Sequence, residues 1–167
     1  DEAEREAALT LDYARREGAT VMQLSEIENA MGGIALERRD YAAAQQHYLR
    51  ARDLARSVGD DHPATATYES NLASVALALG DGAQALAMRR RVAEARARLY
   101  GADAPRTGEA WLAAAETATL IGESATAVEL TTRASQILAS AKVAPLRLRD
   151  ARARQALVLV RAGQRQA

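Results

Sequence analysis

The sequence predicts an all-α protein of about eight antiparallel helices, paired as hairpins that pile up one after another. Two observations carry that expectation. The apolar 49% of the chain is mostly Ala, Leu and Val, with no Phe, one Trp and three Pro. Ala and Leu are the strongest helix formers. A core of Ala suits helix-on-helix packing, where backbones approach closely, better than a sheet, which draws on β-branched and aromatic residues. The second observation is a period: two separate turn signals recur every 40 to 42 residues, out of phase with each other.

The first turn signal is an apolar residue, Gly, an acid, and an Ala five residues after the Gly. Leu79-Gly80-Asp81 with Ala85 recurs as Ile121-Gly122-Glu123 with Ala127, an offset of 42. Arg39-Asp40-Tyr41 with Ala44 has the same shape 41 residues earlier, and Ala162-Gly163-Gln164 repeats it 41 after Gly122. The second signal, Gly59-Asp60-Asp61-His62-Pro63, returns as Gly101-Ala102-Asp103-Ala104-Pro105, again offset by 42, and Pro145 follows 40 after Pro105.

These turns place helices over 2–17, 20–37, 41–57, 64–79, 83–99, 106–121, 125–141 and 146–162. The first runs to Gly18 and the second to the Arg39-Asp40 turn. The third runs from Tyr41 to Gly59. The fourth opens at Pro63, where a first-turn proline lacks only an N–H that the helix leaves unpaired anyway. Its apolar residues Leu72, Val75, Ala76 and Leu79 recur at spacings of three and four. Gly80 closes it by taking the left-handed conformation. The fifth carries Leu86, Val92, Ala95 and Leu99 on a similar spacing. The sixth runs from Pro105 to Gly122, the seventh to Pro145, and the eighth to a stop at Gly163. One hairpin cannot bury its own apolar face, whereas stacked neighbours can. The expected organisation is one domain over 1–167: a partial repeat 1–18, repeats of about 20–62, 63–104 and 105–144, and a partial repeat 145–167.

Charge and composition narrow the function. Lys plus Arg and Asp plus Glu both number 22, so no net charge draws the chain toward nucleic acid or an anionic membrane. No Cys is present, which removes disulfides, thiolate metal sites and a cysteine nucleophile, and fits a reducing cytoplasm. No apolar run approaches the roughly 18 residues of a membrane span, and the charged stretch Asp1 to Glu6 does not read as a signal peptide. There is no Gly-rich phosphate loop, no nucleophile elbow and no His, Asp or Glu cluster with metal spacing. The chain is therefore expected to be no enzyme, with no catalytic residue, metal or cofactor. His47 and His62 are the only histidines, and His62 is expected to pack or cap beside Pro63.

Asn71-Leu72-Ala73, then Gly80, Ala85 and Leu99-Tyr100-Gly101-Ala102-Asp103-Ala104-Pro105 resemble the 42-residue tetratricopeptide variant of kinesin light chains. Gly59-Asp60-Asp61-His62-Pro63 matches its last element more fully. The resemblance spans nearly the whole chain. It departs at Ala113, which stands where Asn71 does one repeat earlier, and at Arg39, which stands where the later repeats have Gly. It implies a right-handed α-α superhelix, a solenoid whose first helices line a concave groove. The same variant is similar to repeats of bacterial regulators, often fused to kinase or DNA-binding domains. Helix 2–17 resembles a second helix without its first, and the last repeat lacks its second helix, so both ends are expected to be cut from a longer protein.

Carried onto this sequence, the resemblance implies a groove face of Glu26, Asn29 and Gly33, then Thr67, Ser70, Asn71 and Ser74, then Glu109, Leu112 and Glu116, then Asp150, Ala153 and Leu157. The candidate peptide-binding residues are Asn29, Ser70, Asn71, Ser74, Glu109, Leu112 and Glu116. An Asn amide both donates and accepts, so it pairs with a peptide backbone of any sequence. The acids Glu26, Glu109, Glu116 and Asp150 favour a basic or neutral guest. The Lys, Arg and Asn set of the family's carboxylate clamp is missing. Arg89-Arg90-Arg91 with Arg96 and Arg98, and Arg50, Arg52 and Arg56 before them, read as a solvated outer face. Trp111 falls where similar repeats place a core Trp. The expected function is a non-catalytic, cytoplasmic scaffold of bacterial origin that binds a protein or peptide segment, with no nucleic acid or membrane partner. The alternative is self-association through the end repeats, or intramolecular regulation of a kinase or transcription regulator.

Overall fold

The computed structural model describes the backbone of residues 2–59, 61–140 and 145–164, and within these every side chain except those of 2–4, 7, 8, 145–152, 162 and 164. Among the described residues eight helices follow one another: α1 Glu2–Arg16, α2 Val21–Glu37, α3 Tyr41–Val58, α4 Pro63–Ala78, α5 Gly82–Tyr100, α6 Pro105–Leu120, α7 Ser124–Ser140 and α8 Pro145–Gln164. No strand occurs among the described residues. Each predicted helix end falls within two residues of the observed one.

Local chemistry explains that agreement. Four turns close alike. Gly18, Arg39, Gly80 and Gly122 each adopt a positive φ, between 61° and 88°. The N–H of each bonds to the carbonyl three residues back, and the next N–H to the carbonyl five back, at 2.9 to 3.2 Å. These bonds satisfy carbonyls that the helix end would leave unpaired. The residue after the turn then starts the next helix: Asp40 accepts from the Ala43 N–H and Asp81 from the Gln84 N–H, both at 3.0 Å. Thr20 and Gln23 cap α2 reciprocally. His62 caps α4 as expected, its Nδ1 accepting from the Ala64 N–H at 3.2 Å. At the equivalent turn Thr107 Oγ1 donates to the Gly101 carbonyl at 2.9 Å.

Gly163 corrects the expected last stop. It lies inside α8, which continues to Gln164. A glycine permits the left-handed turn without enforcing it; the paired closing bonds complete the stop.

The chain forms two compact units, residues 1–75 and 76–167. In the first, α2 packs along α3 and, less extensively, against α1. Its core includes Ala44, Tyr48, Ala51, Ala55, Tyr68, Leu72 and Val75. Tyr48 lies so close over Gly32 that a Cβ there would come within 2.6 Å of the ring. In the second unit α6 packs against α5, α7 and α8. Small residues make this possible: Ala85, Ala93, Ala114, Ala115, Ala118, Ala127 and Ala134 are all wholly buried. Gly82 lies against Ile121, and a Cβ on Gly108 would meet Leu138 at 2.8 Å. Ala44, Ala85 and Ala127, each five residues after its turn residue, are fully buried.

Candidate functional site

In the first unit the predicted face is carried by α2 and α4. Asn29 and Asn71 are both half-buried and meet side by side, Asn71 Nδ2 donating to Asn29 Oδ1 at 2.8 Å. Among the described residues, Asn29 Nδ2 and Asn71 Oδ1 make no hydrogen bond, so the pair presents one amide NH2 group and one amide oxygen. Ser70 and Ser74 are half-buried one helical turn apart on α4, Ser74 Oγ donating back to the Ser70 carbonyl at 3.3 Å. Gly33 is half-buried; Glu26 and Thr67 are exposed. Glu17, Glu26, Ile27 and Ala30 are among the residues lining an open cleft of about 620 Å³.

The amide pair rests on a fixed base. Ser25 Oγ gives its proton to the Met22 carbonyl at 2.8 Å, so the buried Tyr68 hydroxyl is the donor across the 3.0 Å contact with Ser25. Glu28 is 2% exposed and accepts from His47 Nδ1 at 2.7 Å, tying α2 to α3. Sequence reasoning assigned Glu28 no partner. Its signal was the spacing of Ser25, Glu28, Gly32 and Ala35, the inward stripe of α2.

In the second unit the structure separates residues that were grouped together. Leu112 is a correction: it is wholly buried, because α5, α7 and α8 surround α6, and so it offers no surface to a guest. Glu109 is half-buried. Glu116 is partly exposed but already engaged, its two oxygens accepting from Arg154 Nε at 2.6 Å and Nη2 at 2.7 Å in a two-pronged pair. Ala153 and Leu157 are exposed; the Asp150 side chain lies outside the described residues. Trp111 is core, 3% exposed, with the Arg133 guanidinium stacked 3.9 Å from its ring centre.

The arginine run is also redistributed. Arg91 and Arg98 are exposed, as a solvated face requires, but Arg89, Arg90 and Arg96 are half-buried. Burial pulls the Arg89 guanidinium below its usual pKa; Glu116 opposes that shift, while Arg96 and Arg154 add to it.

The sequence profile of the tetratricopeptide repeat matches residues 23–88 and 65–140, well over half of the chain. The chain belongs to the tetratricopeptide repeat family. Repeats of this family form helical scaffolds, typically non-catalytic, whose usual work is protein–protein interaction. Among solved structures, this tetratricopeptide chain is similar to BtubC (BKLC) from P. vanneervenii, with a TM-score of 0.78 at 19% identity, over 99% of this chain and 67% of that one. That likeness is one of fold. No curated protein sequence matches the chain. No helix among the described residues is long and apolar enough to cross a membrane.

Proposed function

We propose that this tetratricopeptide chain holds an extended segment of a partner protein against the α2–α4 face of its first unit. The observation that carries the reading is the Asn29–Asn71 pair. It leaves an amide donor and an amide acceptor side by side on a half-buried surface. A peptide group presents the complementary acceptor and donor, so the pair suits a main chain whatever its side chains. Ser70 and Ser74 stand on the same helix as further polar contacts. Glu26 and Glu17 beside the neighbouring cleft give a basic side chain of the guest a place to lie. In the second unit, Glu109 is the candidate carboxylate with no ion pair among the described residues.

Peptides selected on the immobilised protein from a random library supply the test. In titration calorimetry, Asn71→Ala is expected to weaken them about tenfold, the worth of roughly one buried hydrogen bond, with little change in melting temperature. Equal affinity for the variant, or no selectable peptide, refutes the reading.

A further inference from the structure

The net charge of zero hides a segregation by helix. The helices that carry the amide pair, α2 and α4, hold Glu26, Glu28, Glu37 and Glu69 and no basic residue. Packed along α2, α3 carries His47, Arg50, Arg52 and Arg56 against the single acid Asp53. Two of the carboxylates on the face are matched. Glu28 is held by His47 and Glu69 by Arg56, each at 2.7 Å. Glu26 is exposed and enters no ion pair among the described residues, and the same is true of Glu17 in the turn before α2.

These two unmatched carboxylates line one cleft of about 620 Å³, together with Ala14, Ala19, Ile27 and Ala30. No basic residue lines it. On α1, Arg15 pairs with Asp12 at 3.3 Å, and neither it nor Arg16 reaches the cleft wall. Apolar walls with acids among them match a lysine or arginine, whose stem lies along apolar surface while its charged head finds a carboxylate. A metal ion is the poorer occupant, because no group of three or more His, Asp or Glu among the described residues is placed to hold one. The cleft also adjoins the amide pair. Glu26, Asn29 and Ala30 follow one another on α2 at spacings of three and four, and so share a face. Three residues of helix rise about 4.5 Å, and an extended chain advances about 3.3 Å per residue.

We infer that the guest segment carries a lysine or arginine within about two residues of the peptide group held by the amide pair, and that its side chain enters the α1–α2 cleft and pairs with Glu17 and Glu26. The inference rests on the reading of the α2–α4 face as a peptide-binding surface, and adds what that surface selects.

The test titrates the full chain, at about 50 mM salt, with labelled oligolysine, oligoglutamate and a glycine-serine peptide of equal length. Oligolysine is expected to bind, more weakly as salt rises, and the other two not to bind. Glu17→Gln and Glu26→Gln should each weaken oligolysine about threefold or more, without moving the melting temperature, since both positions are exposed. Glu129→Gln, at an exposed position on α7 of the other unit, should leave it unchanged. Among library-selected peptides, lysine or arginine should recur at one position, and replacing it by norleucine should cost nothing further once Glu17 and Glu26 are both glutamine. No oligolysine binding, indifference to Glu17 and Glu26, or an equal loss in Glu129→Gln overturns the inference. Selected peptides that lack a recurrent basic residue yet weaken with Asn71→Ala would overturn it and leave the Asn-pair reading standing. Oligolysine that weakens with Glu26→Gln but not with Asn71→Ala would support the cleft and sink the Asn-pair reading.

Discussion

Arg39 is the one non-glycine residue with a positive φ among the described residues, at 61°. A side chain in the left-handed region costs about 1–2 kcal/mol. Gly80 and Gly122 avoid that cost at the same point of later repeats. Arg39 is exposed and enters no ion pair among the described residues, so its side chain contributes little in return. Arg39→Gly is therefore expected to raise stability by about 0.5–1 kcal/mol, after allowing for glycine's greater freedom when unfolded. Urea denaturation measures it, and a lowered midpoint would show that Arg39 makes a contact worth more than its strain. At this scale the sequence was partly legible. It marked Asn29 and Asn71 as polar groups on neighbouring first helices, but not that they bond to each other. Counting back from the turns gives ten residues to Asn29 and nine to Asn71, which would match Asn71 with Ala30. The observed pair is Asn29 with Asn71, because α2 is one residue out of step with α4.

The helices were legible because their ends are local events. A left-handed turn residue, an Asp cap or a first-turn Pro acts over about five residues, and each recurs with the period of the chain. Faces were harder to read. Ten of the sixteen residues of α6 are buried, around most of its circumference, so no single apolar stripe distinguishes an outward Leu112 from an inward one. Seven of those ten residues are Ala or Thr, which weakens the contrast further. The close approach of paired helices was readable from small residues in register. Ala85, wholly buried on α5, tests it: Ala85→Leu is expected to cost roughly 1–3 kcal/mol through overpacking, read from a thermal melt. An unchanged melt would mean that α5 has room for a larger side chain at that point.

Across the whole molecule, helical repeats draw stability from neighbours, so an injury in one place is felt locally. The units 1–75 and 76–167 each have their own core. Ala127→Leu, in the α7 core, is expected to speed amide hydrogen exchange in α6 and α7 while α2 and α3 keep their protection. A uniform loss of protection would show that the units open together.

By itself the sequence determined the helices, their order, their period and the family, because turn chemistry and helix propensity act over a few residues and repeat along the chain. Tertiary structure decided which charges and amides meet. Asn29 with Asn71, Glu28 with His47 and Glu116 with Arg154 lie 19 to 42 residues apart, on different helices. A one-residue change of register turns a helical side chain by about 100°, a quarter of the way round and more. Only the packed arrangement fixes that angle, and with it whether a carboxylate faces a guest or an arginine.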